Sequence, residues 1–111
     1  MLTLQIKRKW FDMIVSGEKK EEYREIKDYY DSRFSKAFGS IRVRDSVLHN
    51  VLIATKRVEW PVPVIFRNGY SAMAPQIKAM CALSIGVGKP EWGAEPGKKY
   101  YILHIKEIDK E

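Results

Sequence analysis

Cysteine is almost missing from this chain: Cys81 is the only one among 111 residues. No disulfide can close within the chain, and zinc sites built on paired cysteines are excluded. A reducing, cytoplasmic setting is expected. Cys81 itself lies in an apolar alternation and reads as a small core residue. Histidine is scarce as well. His49 and His104 stand far apart with no metal-ligand spacing around either. No serine or cysteine nucleophile can be assembled with a histidine and an acid from the sequence. Neither a metal nor a cofactor is expected. No run reaches the roughly 18 apolar residues of a membrane span. The first charges follow a short apolar strand rather than precede a long apolar core, so no signal peptide and no membrane are expected. Internal repeats and low-complexity segments are missing too.

What is present is charge, mostly of one sign. Lysine and arginine number 20 against 14 acids, a net charge of +6. Such a balance suits a partner that brings phosphates. Apolar residues make up 45% of the chain and charged ones 31%, the composition of a globular protein. The length fits a single domain over residues 1–111 with a modest core.

Leu2, Leu4 and Ile6 alternate with polar residues, which predicts a half-buried strand. Residues 9–16 predict a short helix with Trp10, Met13 and Ile14 on one face, widened by Phe11 and Val15. Gly17 suits its left-handed stop. Residues 20–26 read as a charged strand, although their Glu and Lys would suit a helix as well. Asp28 is placed to cap a second helix, with Tyr30 and Phe34 at i and i+4 and Gly39 at its end. Ile41 and Val43 lie in a polar connection, and Val51–Ala54 is a further strand candidate. Pro61 and Pro63 confine any strand there to an edge or an irregular lead-in. Val64 to Phe66 then run into Asn68-Gly69, a tight-turn signal. Ile77 to Val87 alternate as a long strand, with a bend expected at its glycine end. The segment 86–97 is a loop around Trp92, and the last strand carries Tyr101, Leu103 and Ile105. Five or six strands with early helices point to a sheet that curls into a small barrel.

The charged strand carries the main candidate site. Gly17, Lys19, Glu22 and Arg24 form the pattern Gly-x-Lys-x-x-Glu-x-Arg. Glu22 and Arg24, two apart on a strand, face one side. Arg24 offers a fork to a phosphate or base edge, Glu22 accepts from an exocyclic amine or positions Arg24, and Lys19 meets an anion as a point charge. The other reading is an edge strand coated with charge against aggregation. Lys7, Arg8 and Lys9 crowd a helix start, where the dipole disfavours cations. They form either a phosphate-binding corner or a solvated patch. Around the Asn-Gly turn, Arg67 is a candidate for a backbone phosphate and Tyr70 for stacking on a base. Trp92 is either a lid or, more simply, the buried anchor of its loop. Tyr23, Tyr29 and Tyr30 read as packing residues rather than a stacking platform.

With these residues together, the chain resembles an ASCH domain of the PUA-like superfamily over nearly its full length. The resemblance rests on the opening strand and helix, the Gly17–Arg24 motif and the Tyr23–Phe34 segment. Residues 66–70 and 91–95 are similar to a small bacterial and phage branch. It implies an α+β fold, a small PUA-like mixed β-barrel of five or six strands with two or three short helices. It further implies a cleft lined by the motif that binds RNA or a modified nucleotide or nucleoside. Ligand-binding residues on this view are Lys19, Glu22 and Arg24, with Arg67 and Tyr70 added from the turn. One similar enzymatic branch hydrolyses an acylated cytidine with a threonine at the place of Glu22 and a lysine base at the place of Lys19. The hydroxyl is missing here, so that route does not carry over. A carboxylate can still act as base or nucleophile, so a hydrolase acting on an acylated nucleoside or on RNA, using Glu22 with Lys19 or Arg24, is a further alternative, and a protein-interaction module is a third.

Overall fold

The computed structural model describes residues 1–38 and 57–109. His49, the strand candidates around Ile41–Val43 and Val51–Ala54, and Gly39 as a helix stop lie outside them. Strand β1 (Leu2–Gln5) leads into helix α1 (Arg8–Val15), β2 (Glu21–Arg24) and α2 (Asp28–Phe38). Strands β3 (Arg57–Arg67), β4 (Gln76–Val87) and β5 (Lys99–Asp109) follow, with a 3-10 turn at Pro90–Trp92. The strands form one five-stranded sheet in the order β1-β3-β4-β5-β2. β1 runs parallel to β3, and the other pairs are antiparallel.

β1 and β2 are therefore the two edges. A flat sheet would hold them about 19 Å apart at the usual strand spacing. Yet Arg24 on β2 donates from Nη2 to the Gln5 carbonyl of β1 at 2.9 Å. One side chain can span the opening only because the sheet curls until its edges nearly meet. Arg33 of α2 donates in the same way to the Thr3 carbonyl at 3.1 Å. These two guanidinium groups cover the free carbonyls of β1, so that edge offers little to a foreign strand.

The core lies inside the curl. Leu2, Leu4 and Ile6 meet Phe11 and Ile14 of α1, Phe34 and Phe38 of α2, and Val64, Phe66, Cys81 and Leu83 from the central strands. α2 packs on β1 and β3. Its ring row continues across the core, with Phe34 edge-on to Tyr101 at 5.0 Å. Gly17 adopts φ 86° directly after α1, a conformation that costs other residues a Cβ clash.

Several expectations are corrected. Lys27, not Asp28, opens α2: its carbonyl accepts from the Tyr30 and Asp31 amides. Asp28 and Asp31 instead place acid in the first turn, where the dipole favours it. Pro61 and Pro63 lie within β3 but ahead of the stretch that β1 covers, an irregular edge portion of the kind expected of them. The pairing shifts register between Val58 and Val62, and β1 begins to cover β3 only at Val64. Both prolines thus occupy the part of β3 where a missing N–H is tolerated. Asn68-Gly69 does not make a two-residue hairpin. The last pair is Arg67 with Gln76, and the Asn68 amide donates to the Pro75 carbonyl across a longer loop. Asn68 Nδ2 binds the Ile6 carbonyl at 2.9 Å, tying that loop to the end of β1. The β4–β5 ladder shifts register at Met80/Cys81, and Gly86 stands opposite Tyr100.

Candidate functional site

Where the two sheet edges meet, a hollow of about 440 Å³ opens. Gln5 at the end of β1 with Ile6 and Lys7 just after it forms one wall, and residues 22–24 of β2 with Glu25 just after them form the other. Trp10 of α1, Tyr30 of α2, and Trp92 and Gly93 of the 3-10 turn close it. Its size is that of a pocket for a small planar ligand.

The motif residues are brought together, but at different depths. Glu22 and Arg24 line the hollow. Lys19 does not: it lies beneath, 1% exposed. Glu22 joins the other two. Its Oε1 is 3.1 Å from Lys19 Nζ, and its Oε2 is 2.7 Å from Arg24 Nη2. Lys19 also donates to the Trp92 carbonyl and sits 4.6 Å over the Trp10 ring. Burial pulls the Lys19 pKa below its ordinary value, against the opposing pull of Glu22. For Arg24 burial acts downward too, but the Glu22 carboxylate and the Tyr30 hydroxyl outweigh it and the pKa rises. Arg24 Nη1 meets Tyr30 Oη at 3.3 Å. Its Nε is buried with no hydrogen-bond partner among the described residues.

This arrangement corrects the role expected of Lys19. A fully covered ammonium held by a carboxylate and a carbonyl is not a point charge for an incoming anion. It anchors the 88–98 loop instead. Trp92 is accordingly neither a buried anchor nor a free lid. Its backbone carbonyl is the anchor, and its half-buried ring lines the hollow. The cations that do face the hollow from its rim are Lys7 and Lys27, with Glu25 beside them. Lys7 precedes α1 as an N-cap with no side-chain cap bond, and α1 has no acid in its first turn. Arg8 is drawn away to Asp12 at 3.0 Å, and Lys9 covers the Trp10 ring.

Tyr23 lines the hollow as well. Its hydroxyl donates to Glu21 Oε1 at 2.7 Å and accepts from the Lys89 amide at 2.9 Å. Burial raises its pKa. Sequence reasoning singled out neither Trp10 nor Lys27. Trp10 carried a signal only as part of an apolar helix face, and Lys27 only as a charge between two elements. Arg67 and Tyr70 do not line this hollow. They face a neighbouring one of about 530 Å³ together with Arg24, Tyr29, Tyr30 and Arg33.

A serine–histidine–acid set that could not be assembled from the sequence does form in the sheet. Ser84 Oγ lies 2.7 Å from His104 Nε2, and His104 Nδ1 lies 3.7 Å from Glu21 Oε2. None of the three lines the hollow. Glu21 and His104 are direct cross-strand partners, and the set reads as partly buried polar groups satisfying one another. Cys81 is fully buried, and burial pushes its thiol up to about 12, with the Glu22 charge adding to the rise. Among the described residues no cluster of His, Cys, Asp or Glu could hold a metal ion, and no helix is long and apolar enough to cross a membrane.

In comparisons with known proteins, no family model, no curated protein and no solved structure matches the chain.

Proposed function

We propose that the protein binds a nucleotide unit, as RNA or a modified nucleotide, in the hollow between the sheet edges. One observation carries this reading. A fixed carboxylate–guanidinium pair lines a concave wall that also holds the Trp10, Tyr30 and Trp92 rings and the Lys7 and Lys27 ammonium groups. Rings stack on the face of a base; Arg24 Nη2 is taken by Gln5 and Glu22, which leaves one N–H of Nη1 to reach the base edge, with the Glu22 carboxylate beside it. The rim lysines meet the phosphate. The resemblance to ASCH domains of the PUA-like superfamily leads to the same ligand class and to a PUA-like identity for the curled sheet.

Binding is favoured over turnover. Lys19, the base of the related hydrolytic scheme, lies under the floor and is engaged by Glu22 and the Trp92 carbonyl. Glu22 stands where that scheme needs a hydroxyl, and both of its oxygens hold cations. A protein-interaction role has no observation of its own to support it.

The test uses the indole N–H signals of the three tryptophans. Trp10 and Trp92 line the hollow, whereas Trp60 donates from Nε1 to the Phe38 carbonyl at 2.7 Å. Titration with the four ribonucleoside 5′-monophosphates is expected to shift the Trp10 and Trp92 signals and leave Trp60 in place. Lys27→Glu is expected to weaken the response by about tenfold. No shift with any nucleotide, or equal shifts at all three indoles, would remove the hollow as a nucleotide site.

A further inference from the structure

Arg24 and Tyr30 belong to two walls at once: the nucleotide hollow ends at them, and the second hollow begins there. The two spaces differ in charge. In the first, Glu22 and Glu25 stand among Lys7, Arg24 and Lys27. In the second, Arg24, Arg33 and Arg67 have no acid among the lining residues. Arg24 is paired with Glu22 from the other side, so Arg33 and Arg67 are the two guanidinium charges left facing a space of about 530 Å³, an arrangement that an anion relieves.

Two of these arginines are already oriented. Arg33 is held by the Thr3 carbonyl at 3.1 Å, and Arg67 by Gln76 Oε1 at 2.9 Å through its Nε. The terminal nitrogens of Arg67 have no protein partner among the described residues. Arg33 is held through its terminal Nη2, whereas Arg67 combines an oriented stem with a free fork and so loses less freedom on binding a phosphate. Beside them stand rings that the core does not use: Tyr70 is 87% exposed and Tyr29 58% exposed. Tyr29 also stacks against the Arg33 guanidinium at 5.2 Å. Exposed rings beside guanidinium groups, in a space that no acid lines, match the alternation of base and phosphate in an unpaired strand. Forks on phosphate and rings on base faces read no base edge, so this second position tolerates any base.

We propose that the protein takes single-stranded nucleic acid at least two nucleotides long. One nucleotide sits in the first hollow, and the phosphate and base of its neighbour sit between Arg33, Arg67, Tyr29 and Tyr70. The proposal rests on the nucleotide reading of the first hollow. A paired base is stacked on both faces and offers nothing to these tyrosines, so duplexes are disfavoured.

Fluorescence anisotropy on the full chain tests this with a labelled eight-nucleotide strand of mixed sequence, as RNA and as DNA. The same RNA annealed to its complement and the four unlabelled ribonucleoside 5′-monophosphates compete. The single strand is expected to bind at least about tenfold tighter than the best monophosphate, and about tenfold tighter than the duplex. In Arg67→Ala/Tyr70→Ala that advantage over the monophosphate collapses towards unity, and the separate exposed-ring variant Tyr29→Ser lowers it severalfold. Tighter RNA than DNA assigns part of the chemistry to the ribose hydroxyl; equal affinities assign it to phosphate and ring alone. A monophosphate that binds as tightly as the octamer overturns the two-nucleotide span while leaving the first hollow intact. A duplex that matches the single strand, or variants that keep the full advantage, overturns the second hollow. No binding by either the octamer or the monophosphates overturns both readings.

Discussion

Replacing Glu22 by alanine removes one carboxylate and strands two cations. Its oxygens lie 3.1 Å from Lys19 Nζ and 2.7 Å from Arg24 Nη2, and the three side chains are 8%, 1% and 15% exposed. Breaking a buried pair from one side typically costs about 3–5 kcal/mol. The Lys19 response sets an independent ceiling of similar size. An uncompensated buried ammonium gives up its proton, and doing so at pH 7 from the ordinary value of 10.5 costs about 5 kcal/mol. For a chain of this length the loss is a third or more of a typical total stability, and it lowers Tm by at least about 12 °C. Urea unfolding followed by circular dichroism measures it directly. The pH dependence carries the signature. A lysine whose folded pKa lies below its unfolded one makes stability rise with pH up to about 10.5. In Glu22→Ala that rise is expected to steepen between pH 7 and 9.5, towards about 1.4 kcal/mol per unit. Lys19→Met is expected to cost less than Glu22→Ala, because Glu22 keeps Arg24 and only the Trp92 carbonyl loses its donor. A loss below about 1 kcal/mol, or the same deficit at both pH values, would show that the three groups are solvated and that the buried triad does not hold the site together.

Three further outcomes are expected. Burial and the Asp31 bond raise the Tyr101 pKa above its ordinary 10.0, and burial raises Tyr23 as well. Their contribution is present below pH 10 and is lost as pH rises above it; Tyr101→Phe should flatten the stability curve between pH 10.5 and 11.5 by up to about 1.4 kcal/mol per unit. A Cβ on Gly88 would come within 2.7 Å of the Tyr23 ring and 2.8 Å of Ala94, so Gly88→Ala should cost about 1–3 kcal/mol in thermal or urea unfolding. The affinity for a single-stranded octamer should fall with salt, and Arg67→Ala should reduce the slope of log K against log salt by about 0.7.

The local elements were legible wherever burial follows a short period. Leu2 and Leu4 on β1, Phe11 and Ile14 on α1, and Ile77 to Leu83 on β4 all face the core as their spacing predicts. The same period of two correctly put Glu22 and Arg24 on one side of β2. What could not be read depends on partners far along the chain. Lys19 looks like a surface lysine until the Trp92 carbonyl, 73 residues away, covers it. Arg24 looks like a ligand fork, yet much of it bridges to Gln5, because no local pattern shows that the first and third elements form opposite edges of one curl. Pro61 and Pro63 were legible as an irregular edge, which a register shift and the late start of β1 supply. Asn68-Gly69 misleads because its side chain and amide are committed to Ile6 and Pro75 instead of a two-residue turn. Ser84, His104 and Glu21 come from three strands whose registers only the folded sheet fixes.

The strand order has a consequence for how the protein is made. β2 ends at residue 24, but its neighbour in the sheet, β5, ends at residue 109. A ribosome needs about 4–17 s to add the intervening 85 residues. Throughout that interval the Glu22–Arg24 strand lacks its β5 neighbour, and the nascent chain carries it as a charged, self-repelling segment. Lysine and arginine there double as a solubilising flag during synthesis, before closure turns them inward. Stalled chains lacking β5 should therefore be cut readily by trypsin after Lys19 and Arg24, sites that the finished molecule protects.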